Sequence, residues 1–74
     1  MPNLFSVSFF WKGERKHITS FCDHWPKNDL DASGLAFIAI KTWFENEKLA
    51  NPIVVRNVEL VANGESYNWP TLPL

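Results

Sequence analysis

Cys22, Asp23 and His24 stand side by side in the stretch "FCDHWPKND", with His17 a short way upstream. A thiol beside an imidazole suggests two chemistries. The imidazole can activate a cysteine nucleophile. Thiolate, imidazole and carboxylate are also zinc ligands, which a tetrahedral site gathers in fours, or in threes with a water. Neither pattern is complete. Zinc sites pair their ligands at C-x₂₋₄-C or H-x₃₋₅-H spacing, whereas this chain has one cysteine and a Cys-x-His step. A cysteine nucleophile needs a third group to orient its base and donors for an oxyanion, and the neighbouring sequence supplies neither. A solvated loop with a free thiol is expected: no enzyme activity, no metal and no cofactor.

Lys12, Arg15, Lys16 and His17 form a second cluster, next to Phe10 and Trp11. Basic residues interleaved with sheet aromatics bind single-stranded nucleic acid or RNA by pairing phosphates and stacking bases. Two observations weigh against that use. Glu14 interrupts the cluster, and the chain as a whole carries seven Lys and Arg against eight Asp and Glu. Nucleic-acid binders are usually basic overall. The expected role is a solvated hairpin tip, with nucleic-acid binding as the alternative.

A third group lies in "SGLAFIAIKTWFENEKL". On a helical wheel Trp43, Ala36 and Ile40 centre the apolar arc and should face a sheet. Phe37 and Phe44 fall at its edge, about 180–200° round from Leu35 at 100° per residue, and Ile38 sits among the charges near 300°. The arc is about twice the roughly 100° that one buried face needs. Either a neighbouring loop and the C-terminal tail cover the edge, or another protein does. The partner-binding candidates are Phe37, Ile38 and Phe44, then Phe10, with Lys41 and Glu45 supplying orientation. Buried aromatics dominate protein interfaces, and rim charges add direction more than affinity.

The elements that must position these residues follow from the pattern. "LFSVSFFW" alternates, placing Phe5, Val7, Phe9 and Trp11 on one face and Ser6, Ser8 and Phe10 on the other. A glycine turn at Lys12–Glu14 returns a second strand, which brings Ile18 beside Val7 and Phe9. Asp29, Asp31 and Ser33 are the candidate helix caps, and Asn51-Pro52 marks the stop. Asn63-Gly64 is a strong hairpin signal; it sets Val61 opposite Ser66, Leu60 opposite Tyr67 and Val58 opposite Trp69. Pro70 is expected to end the last strand. The tail "PTLPL" is formally a PxxP pattern, without the flanking cations such ligands carry, and its leucines suit packing on the core.

The expectation is an α+β domain over residues 1–74, ordered ββαββ. Its strands run over 4–11, 15–21, 53–61 and 65–69, and its helix over 32–49. One four-stranded antiparallel sheet carries the helix on one face. With 74 residues, one domain is the limit and the core is small. The second sheet face has nothing of its own to cover it; Phe10, Val55, Ile53 and Val61 are expected there. A contiguous apolar patch of that kind marks an interaction site.

A lone cysteine forms no internal disulfide, which small secreted domains normally need, so a reducing, cytoplasmic home is expected. "MPNLFSVSFFW" has no basic n-region and no cleavage site, and no stretch is apolar for the 18 or more residues of a membrane span. In size and architecture the chain resembles the small acidic-to-neutral proteins of phages and prophages, among them anti-defence inhibitors such as anti-CRISPR proteins. That resemblance implies a compact domain acting by occupying another protein's surface. The expected function is therefore a non-enzymatic, cytoplasmic protein-binding module, with a structural homodimer as the alternative alongside nucleic-acid binding.

Overall fold

The computed structural model describes residues 3–74; the first two positions of the expected domain lie outside them. Strands β1 (Asn3–Trp11) and β2 (Glu14–Cys22) precede helix α1 (Asp29–Asn46), and strands β3 (Val54–Ala62) and β4 (Glu65–Pro73) follow it. The four strands form one antiparallel sheet in the order β2-β1-β3-β4. β1 thus sits between the two strands that the helix connects. The architecture is the expected ββαββ.

Both hairpins close through two-residue turns with positive φ at each central residue: 52° and 75° at Lys12 and Gly13, 53° and 78° at Asn63 and Gly64. This geometry matches the right-handed twist of the flanking strands. It pairs Trp11 with Glu14 and Val7 with Ile18. In the second hairpin Val61 faces Ser66, Leu60 faces Tyr67 and Val58 faces Trp69, the register that the alternation demanded. Phe5, Val7 and Phe9 of β1 and Val58, Leu60 and Ala62 of β3 form the floor of the core.

The alternation slips once. Between Ser8 and Phe10 of β1, β3 carries one extra residue, and Asn57 there has φ 50°. Asparagine tolerates this left-handed conformation, and the extra residue makes a β-bulge. Upstream of the bulge the faces exchange. Val55, expected on the open face, is therefore buried in the core. β4 follows the shift: it does not stop at Pro70 but stays paired to Pro73, and Leu72, opposite Val55, is buried. A proline is tolerated there because β4 is an edge strand. The expected tail is thus strand, with only Leu74 beyond it, packed against the core.

The helix starts and stops three residues earlier than the expected 32–49. Asn28 is the N-cap: its side chain accepts the Asp31 N–H at 2.8 Å, and the Asp31 carboxylate accepts the Lys27 N–H at 3.1 Å. This reciprocal pair resembles a capping box and displaces the expected caps Asp29, Asp31 and Ser33. At the other end Lys48 has φ 56°, and the Lys48 and Leu49 N–H groups return to the Glu45 and Phe44 carbonyls at 3.1 and 3.0 Å. This is a Schellman closure with lysine where glycine is usual, so the helix ends ahead of Asn51-Pro52.

Ala32, Ala36, Ala39, Ile40 and Phe44 are the buried residues of the helix. Three alanines keep that face thin, so aromatic residues fill the space at its C-terminal end. Phe44 is fully buried. Its ring stands edge-on to Trp11 at 5.2 Å and to Trp43 at 4.9 Å, and Phe9 meets Trp43 at 5.5 Å. Phe44, expected at a partner-facing edge, is a core residue: the buried arc extends to its position on the helix. Such edge-to-face contacts add about 0.5–1.5 kcal/mol each beyond area burial.

Candidate functional site

With Phe44 in the core, the partner-binding candidates separate. Ile38 is 61% exposed on the solvent side of α1. Phe37 is half-buried, with the Lys41 ammonium 5.5 Å from its ring centre. Glu45, two turns along from Ile38, is exposed. Phe10 lies on the other side of the molecule, on the sheet face away from the helix, so no single surface joins all six residues.

The structure adds a residue that the sequence did not single out. Leu30 is 82% exposed and stands two turns before Ile38. Gly34 lies midway between them, and a Cβ built on it meets nothing within 4 Å. Leu30, Leu35 and Ile38, with His24, Lys27 and Asp31, line a shallow hollow beside Gly34. An asparagine cap followed by aspartate three residues on was the signal that would have started the helix early enough to place Leu30 on this line.

The hollow is held at the helix N-terminus by polar contacts. His24 Nε2 lies 3.0 Å from Asp31 Oδ2. The Lys27 backbone N–H and then the His24 ring hold the Asp31 carboxyl below the usual carboxylate range. The Trp69 indole N–H donates to Asp29 at 3.1 Å, tying β4 to the first turn. Pro26 is buried and Trp25 packs against the core, which anchors the intervening loop.

Cys22 and His24 do not form a nucleophile–base pair. The thiol donates to the Asn3 carbonyl at 3.6 Å, and burial pushes its pKa up, away from thiolate. The His24 ring is engaged by Asp31 instead. Among the described residues no three His, Cys, Asp or Glu side chains converge as metal ligands would.

The basic hairpin cluster is split by the pleat. Lys16 faces the helix side and pairs with Glu14 at 2.8 Å. Arg15 and His17 share the open face with Phe10, since residues directly opposite in the ladder lie on one side. Arg15 reaches across β1 to donate to the Asn57 carbonyl at 2.9 Å, its guanidinium 5.3 Å from the Phe10 ring centre. The Phe10 ring face is thereby occupied by the chain's own cation. Lys12 lies 4.8 Å from the Trp11 ring centre.

Nor is the open face one apolar patch. Leu4 and Phe21 lie at one end and Phe10 and Val54 at the other, with Val61 nearer the first pair. Ser8, His17, Glu59 and Asn68 cross between them as a polar row. Ile53 is exposed just before β3 begins. Among the described residues no helix is long and apolar enough to cross a membrane. Set against known protein-family models, curated proteins and solved structures, the chain matches none of them.

Proposed function

We propose that the chain is a non-enzymatic protein-binding module whose contact surface is the solvent side of α1 around Gly34. The observation that carries this reading is the exposure of Leu30 and Ile38 on one helix line, in a domain whose core is complete without them. Apolar side chains flanking a gap form a knob-and-hole surface, which suits a complementary apolar anchor from another protein. Phe37, with Lys41 beside it, extends the surface along the helix. His24, Lys27 and Asp31 give it a polar rim at one end, as interfaces commonly have. Binding by occupation alone is also the mode of action implied by the likeness to phage-encoded inhibitors.

The test is a photo-reactive phenylalanine analogue placed at Ile38 in cells that naturally produce the chain. The reading expects one dominant cross-linked protein, whose affinity for the purified chain falls at least about thirtyfold in Ile38→Asp, the equivalent of a 2 kcal/mol hot spot. Unchanged affinity in that variant would refute the reading.

A further inference from the structure

The two edges of the sheet differ. β4 carries Pro70 and Pro73, which have no N–H to offer, and it follows the bulge at Asn57. Prolines, bulges and charged side chains are the devices that keep an edge from pairing. β2 has no proline and no bulge, and its charges are confined to Glu14, Arg15 and Lys16 at the hairpin end: it pairs with β1 through nine consecutive positions without a shift, and its other side has no neighbouring strand. Half of its backbone groups therefore point outward, unpaired within the sheet.

Beyond Lys16 the surface beside this edge is uncharged. A groove between β2 and α1 is lined by Ile18, Ser20, Ala39, Thr42, Trp43 and Asn46, with Thr19 and Phe21 bordering it at the strand edge. Not one ionisable side chain interrupts it. Phe21, on the opposite face of the same strand, is 64% exposed.

The residues from Arg15 in β2 to Asp23, just beyond it, are charge-complementary about Thr19. In an antiparallel pairing of two copies on that centre, Arg15 opposes the second copy's Asp23, the residue just past the end of β2. Ile18 opposes Ser20, which inserts it into the uncharged groove, and Phe21 opposes His17 on the open face. A centre on Ile18 leaves Asp23 without a cation. A centre on Ser20 moves Arg15 away from Asp23 and sets it against Trp25. We infer that β2 is the docking edge for a second copy of this chain, joined antiparallel about Thr19 into one eight-stranded sheet. Arg15 leaves the Asn57 carbonyl to reach the second copy's Asp23, so dimer formation uncovers Phe10. The helix surface around Gly34 takes no part.

Sedimentation across a micromolar dilution series should give twice the chain mass at the upper end. Thr19→Cys in a Cys22→Ser background should form an intermolecular disulfide on mild oxidation, because directly opposed Cα atoms lie about 4.5–5.5 Å apart, within disulfide reach. Arg15→Asp should weaken the dimer about tenfold through opposed carboxylates, and adding Asp23→Arg should restore it. Circular dichroism checks that each variant is folded. A monomer at every concentration overturns the inference. So does a dimer in which the Thr19→Cys variant fails to cross-link, or one that Ile38→Asp abolishes.

Discussion

Leu30 and Ile38 lie two turns apart on α1, both exposed, with Gly34 between them contributing no side chain. Two apolar knobs around a gap do nothing for the core, so their removal should not affect folding. Leu30→Asp and Ile38→Asp are expected to change stability by no more than about 0.5 kcal/mol, as surface substitutions usually do. Phe44→Ala should cost about 3–5 kcal/mol, because it empties the centre of the Phe9–Trp11–Trp43 cluster. Urea unfolding of the three variants measures the contrast.

Gly34 costs the helix stability, since glycine in a helix interior loses more backbone entropy than alanine. Gly34→Ala meets open space and should stabilise the fold by about 0.5–1 kcal/mol. A larger side chain at the same position should keep that fold and weaken partner binding by filling the gap. Thermal unfolding reads the first effect and a binding titration the second.

Much of the fold was legible because side-chain period and turn chemistry agreed. Asn63-Gly64 and the alternation on either side of it pinned the β3–β4 register, and either two-residue turn within Lys12–Glu14 put Ile18 on the face of Val7 and Phe9. The departures have local causes. Asn57 in a left-handed conformation reverses the pleat, which moves Val55 and Leu72 into the core, and no periodic template anticipates one inserted residue. Lys48 ends the helix in a conformation that glycine usually supplies. Asn28 takes the cap although Asp29, Asp31 and Ser33 after it are equally suitable residue types, so type alone does not choose among them. Of the site residues, Ile38 stood out as an apolar residue among charges. Leu30 did not, because a helix started at 32 leaves it in a loop. Phe44 was expected at the edge because wheel position alone does not fix how far the buried arc extends.

At the helix C-terminus Lys48 adopts φ 56°, a conformation that costs a residue with a Cβ roughly 1–2 kcal/mol. Lys48→Gly should therefore raise stability by about 1 kcal/mol while leaving the Leu49-to-Phe44 closure in place. Chemical unfolding at neutral pH checks it; a loss of stability would mean that the lysine side chain makes a compensating contact.

Asp31 should give the fold an acid-sensitive component. Its folded carboxyl is held low by the Lys27 N–H and then by His24, so the unfolded chain takes up the proton first as pH falls. The contribution is present above the ordinary carboxylate pKa of about 4 and is lost as pH drops through the lower folded value. Glu14, lowered by Lys16, acts in the same direction. Asp31→Asn should flatten the decline in unfolding midpoint below about pH 5 without abolishing it, because Glu14 remains.

The most direct test of the helix-surface account is the photo-cross-linking pattern from two positions in the same cells, Ile38 on α1 and Asn68 on the open sheet face. The account predicts a foreign protein captured from Ile38 and not from Asn68, with Leu30→Asp abolishing the capture. Equal capture from Asn68, or capture that survives Leu30→Asp, would contradict it.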